Sequence, residues 1–441
     1  MKKPKKKKSK MLLFLIGYVI VLCAVLIWKI GYANTNPLSA GISVDGKTYP
    51  ADITSFSVTN PEFDFAQLSQ FSSLQSVDVT ALEIDASKYQ QIRSQVKEPV
   101  QVIWSVPFNG TRLPNNTTAL SITSELEESE QSVLSYFTHL TDVTITNIDA
   151  FEKIYPLMKI IRETNPDVTI QCSTSLYGAP IDSHTETLVL NDIRLQNTDI
   201  LCRAIEVFPR LTTIEMCRCG LSDEVMENLR ESYPTINFVW IVNFLHYSIR
   251  TDVQVFSTLA IDYSRPGDSE SFSPLFRYCT ELRALDLGHM RITDISEIRN
   301  LKKLHTLILA DNYISDISPL SDLKELNYVE LFQNDISDFS PLLSLPHLQD
   351  LNICYNPHLQ NPIIFTQCKT LQRLYCSHCG ISRENRIAMQ QGLPADCEFN
   401  WTAANCVYDG WRNNEKNTVI RNAFRTWRKV KEYPSWDNIV Y

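Results

Sequence analysis

Apolar residues recur along this chain at a spacing that no single helix or strand requires. Leu282, Leu285 and Leu287 return as Leu304, Leu307 and Leu309, as Leu326, Val329 and Leu331, and as Leu348, Leu351 and Ile353, each step being 22 residues. The last two members of each triplet alternate with other residues, as a strand with one buried face does. Downstream the frame adds Asn312, Asn334 and Asn356, and two positions later an aliphatic residue, Ile292, Ile314 or Ile336. Each repeat predicts one short strand and one return turn. A unit this small cannot bury its apolar edge alone, so its stability must come from stacking on its neighbours.

The LxxLxLxxNxI frame resembles the leucine-rich repeat, in which the leucines form an interior column and the Asn ties adjacent coils together. A narrower pattern lies in the turns, with Asp316, Ile317, Ser318, Pro319 and Leu320 matched by Asp338, Phe339, Ser340, Pro341 and Leu342, and Asp294, Ile295 and Ser296 as a weaker first copy. It is similar to the internalin type of bacterial surface repeat, where Pro and a tight convex turn replace a helix. That resemblance implies an extracellular binding scaffold.

Longer cassettes precede and follow these repeats. Leu74, Val77 and Val79 lead through a helix-like stretch and Pro99 to Trp104, and Leu211, Ile214 and Met216 lead through Pro234 to Trp240. Leu371, Leu374 and Cys376 lead through Pro394 to Trp401 in the same way. A degenerate copy starts at Leu140, Val143 and Ile145, passes Pro166 and ends on Cys172, which puts its last strand in doubt. Each cassette predicts strand, helix, Pro, strand. Ser222 and Ser382 stand where a helix N-cap is needed, each with Glu two residues on, and Pro at the far end halts the helix. Ile53, Phe56 and Val58 recur as Leu74, Val77 and Val79, so the stack is expected to begin near residue 42. Leu120 with Ile122, Leu188 with Leu190, and Leu259 with Ile261 are strand candidates whose pairing the pattern leaves open. After Trp401 the periodicity stops. Residues 402–441 hold Trp411, Phe424, Trp427 and Trp436 with a basic run, and predict a helix near 415–430 that caps the last strand's edge. The other reading of that stretch is a basic aromatic patch for an anionic wall polymer.

Residues 11–28 contain no charge and are flanked by seven lysines within the first ten residues and by Lys29. At about 1.5 Å per residue they span roughly the hydrocarbon layer as a helix, and positive flanks stay inside. This predicts a single-pass membrane protein with its body outside, and membrane contact through residues 11–30. The alternative is a secreted chain cleaved near Ala33, after a small-x-small site at Gly31 to Ala33. Without those eight lysines the remainder has 33 basic against 50 acidic residues, an acidic body that excludes nucleic acid as a partner.

Of the twelve cysteines, Cys23 sits in the apolar run and several others occupy core positions of the repeat, which points to free buried thiols rather than a disulfide framework. Cys217 with Cys219 and Cys376 with Cys379, near His378 and Cys368, invite a zinc reading. The repeat register offers another account. Cys219 and Cys379 follow Leu211 and Leu371 by the same eight residues that separate Asn312 from Leu304, so they are expected to serve as turn rungs. His289, His305 and His347 are expected at the surface. No metal, no cofactor and no catalytic residue is expected, since HExxH, GxGxxG, GxxxxGK and nucleophile motifs are all lacking. The candidate binding residues are those that alternate with the interior leucines and so face outward from the concave sheet. They are Asp286, Ile308, Tyr328, Glu330, Phe332, Asp350, Asn352, Arg373 and Tyr375, joined by Tyr355 at the turn, an aromatic strip with an acidic rim of the kind interfaces favour.

The fold expected is an α/β leucine-rich repeat solenoid, a curved parallel sheet with helices and Pro turns on the convex side, preceded by one transmembrane helix. Its segments are a basic tail (1–10), an anchor or signal segment (11–33), a linker (34–41), long-cassette repeats (42–280), internalin-like repeats with a final cassette (281–401) and a C-terminal cap (402–441). Cys219, Gly220, Leu221 and Ser222, then Phe238, Val239, Trp240 and Ile241, with the repeats from Leu282, resemble a family of membrane-anchored or exported leucine-rich repeat proteins of Gram-positive gut bacteria. The resemblance implies a surface-displayed, non-catalytic scaffold that binds a protein or cell-wall component on its concave face. A wall-associated enzyme with its active site in 105–210 is the alternative.

Overall fold

A computed structural model of the chain describes residues 41–258, 269–402, 410–413 and 415–426. Residues 11–33 lie outside them, and among the described residues no helix is long and apolar enough to cross a membrane. The chain divides into two compact units. One comprises residues 1–183 with 200–209, the other 184–199 with 210–441.

In the second unit the 22-residue period is realised as a seven-stranded parallel sheet, Val255–Ser257, Ala284–Asp286, Thr306–Ile308, Tyr328–Glu330, Asp350–Asn352, Arg373–Tyr375 and Glu398–Asn400. Central residues pair in register as Phe256, Leu285, Leu307, Val329, Leu351, Leu374 and Phe399. Leu285, Leu307, Val329 and Leu351 are wholly buried, so the leucine column is one continuous interior row. The return turns form because Asp294, Asp316 and Asp338 each accept the amide two residues on at 2.8 Å, which seeds a 3-10 turn. In the last two, Pro at the start supplies the fixed φ. Asn312, Asn334 and Asn356 donate across to Leu287, Leu309 and Leu331 carbonyls of the preceding coil at 2.9–3.0 Å.

All four cassettes adopt the strand, helix, strand order. Their helices are Ala86–Gln95, Phe151–Thr164, Asp223–Ser232 and Arg383–Gly392, and Ser222 and Ser382 cap two of them through their hydroxyls. The doubt attached to Cys172 is removed. Thr169–Gln171 is a strand paired with Asp142–Ile145, because Ile170 keeps the buried central position and Cys172 only follows it. The open strand pairings are resolved as well. Ala119–Ile122 pairs with Asp142–Ile145, and Thr187–Val189 with Thr213–Glu215. Leu259 and Ile261 lie outside the described residues, and the strand before them is Val255–Ser257.

The pattern did not anticipate four antiparallel hairpins, Ile42–Val44 with Lys47–Tyr49, Ser105–Phe108 with Thr111–Pro114, Ser173–Leu176 with Ala179–Asp182, and Ile241–Phe244 with Tyr247–Arg250. Residue 42 thus opens a hairpin, and the first parallel strand is Ser55–Ser57. Each of the last three hairpins follows a three-stranded parallel sheet. Strands resume at Ser55, Ala119, Thr187 and Val255, steps of 64, 68 and 68 residues, so a longer period overlies the short one. Two residues close each turn, with Asp45, Asn109, Tyr177 and Leu245 at positive φ, the geometry that matches the twist of paired strands.

Candidate functional site

The face of the seven-stranded sheet opposite the leucine column carries two rows of side chains. The first strand positions give Val255, Ala284, Thr306, Tyr328, Asp350, Arg373 and Glu398, and the third give Ser257, Asp286, Ile308, Glu330, Asn352, Tyr375 and Asn400. Alternation along the strands therefore places the sequence-derived residues on one face, as expected. Their exposure differs from expectation. Asp286, Ile308, Tyr328, Glu330, Phe332, Asp350, Asn352 and Tyr375 are all buried, and Arg373 and Tyr355 are half-buried.

The chain's own C-terminal segment covers them. Gly410 approaches Tyr375 so closely that an added Cβ would lie 2.7 Å from the phenol oxygen, and its φ of 108° also excludes other residues. Trp411 then sits between Tyr328 and Tyr375, with ring centroids 5.3 and 5.1 Å away, and Arg373 stacks on it at 4.3 Å while donating to its carbonyl at 3.0 Å. Arg412 reaches Glu330 at 2.5 Å. The helix Glu415–Arg425 follows and lies on the sheet face, not on the edge of the last strand as expected. Its Lys416 pairs with Asp350 and donates to Asn327 at 2.6 Å, and Asn417 donates to the Tyr328 hydroxyl at 2.9 Å. Ile420, Ala423 and Phe424 complete an apolar cluster with Val255, Ala284, Ile308 and Phe332. The face prevails over the edge because there the segment pairs its two cations with two buried carboxylates, Glu330 and Asp350, and packs Trp411 against Tyr328 and Tyr375.

Electrostatics record this closure. Burial, reinforced by Glu330, pushes the Asp286 carboxyl up to about 6, although the Gly288 amide and Arg412 pull the other way. Burial raises Tyr328 well above the usual phenol range, and its hydroxyl donates to Glu330. Burial also lowers Lys416, against the opposing attraction of Asp350. For Arg412 burial acts downward, but the adjacent Glu330 carboxylate outweighs it and holds the guanidinium above its ordinary value. Tyr375, buried and bonded to Glu398 at 2.5 Å, rises to about 12.

The face contrasts with those of the shorter sheets. In the first unit the corresponding positions are Ser55, Ser57, Ser76, Asp78, Gln101 and Ile103, then Ala119, Ser121, Asp142, Thr144, Thr169 and Gln171, mostly polar residues that are exposed or half-buried. These last strands lie in the stretch 105–210 considered above for an active site. Among the described residues, no three His, Cys, Asp or Glu side chains converge as a metal site would require. Cys219 and Cys379 donate to the Leu190 and Ile353 carbonyls at 3.1 Å, the same bond that the Asn rungs make. Burial raises the Cys219 thiol to about 11, which keeps it a donor. The ten described cysteines carry no disulfide bond. His289 and His347 are exposed, but His305 is half-buried and lowered to about 3 by burial and by Lys416, contrary to its expected surface position.

Sequence reasoning missed the covering residues Trp411, Arg412, Lys416, Asn417 and Ile420. Their helical spacing was readable, since Lys416, Asn417, Ile420, Ala423 and Phe424 fall on one face. Residues 427–441, which hold most of the basic aromatic run, lie outside the described residues.

Residues 280–322 match the family model of leucine rich repeats in two copies. No curated protein matches the chain. Among solved structures it is similar to an internalin of Listeria monocytogenes at 15% identity, covering 78% of this chain and 71% of that one with a TM-score of 0.25. It is also similar to a leucine-rich repeat protein of Leptospira interrogans at 14% identity, covering 91% and 100% with a TM-score of 0.26. A second internalin of Listeria monocytogenes, internalin C2, matches at 17% identity over 60% and 85% with a TM-score of 0.22.

Proposed function

We propose that this chain is a non-catalytic leucine-rich repeat scaffold, displayed on the cell surface, that binds a protein or cell-wall component on the face of its seven-stranded sheet. The observation that carries this reading is that the face already holds a polypeptide. It does so through side chains projecting from the strands, with the sheet's backbone bonds left intact. Proteins that use leucine-rich repeats for recognition work in this way, since stacking fixes the strands and leaves alternate side chains free to vary. The resident segment then acts as a cover that a partner must displace. Residues 11–33 would hold the body outside the membrane.

The test uses the full-length chain and a variant carrying Arg412→Glu and Lys416→Glu, which places like charges against Glu330 and Asp350. Wall polymer and extracellular protein fractions are passed over both, immobilised at equal density. Retention is expected to rise on the variant and to fall back when Tyr328→Ser and Phe332→Ser are added. Equal retention on all three proteins would remove the sheet face as the binding surface.

A further inference from the structure

We propose that this sheet face is a receptor for a cationic, tryptophan-led amphipathic helix of a protein partner, and that the C-terminal segment is the chain's own tethered version of that ligand. The inference rests on the binding role proposed above and adds the partner's chemistry. Three features of the closed face define it.

What is recognised is one side of a helix. Lys416, Asn417, Ile420, Ala423 and Phe424 are spaced by one, three and four residues, the set that falls on a single helical face, and each of them touches the sheet side. Trp411 and Arg412 enter ahead of this helix as an anchor between two tyrosines, so the order is aromatic, cation, cation, then apolar residues. The charge balance is also set. The sheet contributes Asp286, Glu330 and Asp350 against Arg373, and two cations of the segment meet two of those carboxylates.

The third feature is that, among the described residues, the resident segment leaves several buried polar groups of the face without a counterpart. Asp286 accepts only from the Gly288 amide at 3.0 Å and the Ser257 hydroxyl at 3.3 Å, with no cation bonded to it among the described residues. Buried donors are left over on both sides, Asn352 Nδ2 and Arg373 Nη2 from the sheet, Trp411 Nε1 and Arg412 Nε from the segment, none with a partner among the described residues. A buried donor without an acceptor is costly. A foreign helix that brings a third cation to Asp286 and an acceptor to Asn352 would satisfy groups that the tethered copy leaves unmet.

The probe is a fluorescein-labelled peptide with the sequence of residues 410–426, added at micromolar concentration to full-length protein and followed by fluorescence anisotropy. In the native chain the tethered copy faces its site at roughly millimolar effective concentration, so little probe binds. In the Arg412→Glu, Lys416→Glu variant, binding is expected to tighten by about tenfold or more. Binding should disappear with a peptide in which Trp and Phe are replaced by Ala. Equally weak binding to both proteins, with amides of Thr306–Ile308 still protected from hydrogen exchange, would overturn the proposal. If the variant fails to fold, exchange in the native chain decides. Amides of Glu415–Arg425 must then exchange about tenfold faster than those of Thr306–Ile308, and equal protection makes the segment a fixed part of the core. Failure of the peptide alongside increased retention of extracellular protein on the variant would discard the helix receptor and keep the binding role.

Discussion

At the scale of single residues, the fold rests on a few positions whose chemistry is repeated coil after coil. Leu307 is wholly buried between Leu285 and Val329, and Leu307→Ala is expected to cost about 2 to 5 kcal/mol in a denaturant titration, as loss of a buried Leu does. A change near zero would contradict the register. Asp286 is the opposite case, a residue that costs stability at neutral pH. Its carboxyl is raised from 3.8 to about 6 in the folded chain, so the native state holds this proton more tightly than the unfolded state. The resulting stabilisation is complete below about pH 4 and is lost as pH rises through about 6. Asp286→Asn keeps an acceptor for the Gly288 amide and removes that penalty. It should raise stability by about 1 to 3 kcal/mol at pH 7.5 and by much less at pH 4.5, the upper bound following from about 1.4 kcal/mol per pH unit. A thermal shift equal at both values would refute the assignment of the penalty to burial of this charge.

At the scale of elements, the repeat strands, their inward leucines and the Asn and Cys rungs were legible because local spacing alone dictates them. Four cassettes gave their strand, helix, strand order for the same reason. The hairpins were overlooked although Asp45-Gly46 and Asn109-Gly110 are strong turn signals. Their flanking strands are too short to show alternation beside the louder leucine pattern. The cover over the sheet face was hidden for a different reason. Lys416 reads as a solvent-facing residue until Asp350, 66 positions earlier, is placed beside it. No local pattern encodes a buried ion pair across that separation. Lys416→Met leaves Asp350 with Arg373 as its remaining cation, and the helix Glu415–Arg425 should loosen while the strands beneath it hold. Hydrogen exchange is expected to quicken in the helix by about tenfold or more and to stay unchanged in Tyr328–Glu330. Parallel acceleration of both would mean that helix and sheet unfold as one.

At the scale of the whole molecule, the proposed display outside the membrane can be checked on intact cells. A membrane-impermeant amine reagent should label the exposed Lys303 and Lys324 without lysis. Labelling that requires lysis would place the body inside. The four hairpins carry a consequence of another kind. Each of the last three stands where one ladder of strands stops and another starts, and in a linear array the coupling between neighbours decides how far a local opening spreads. Within the seven strands every rung is tied to the next, so melting there should run from end to end like a row of falling dominoes. At Ser105–Phe108 and Ile241–Phe244, each inside one unit, the parallel ladder is interrupted and only side-chain packing such as Phe244 on Phe256 carries on, so the hairpins should act as firebreaks at which an opening in one ladder slows before it reaches the next.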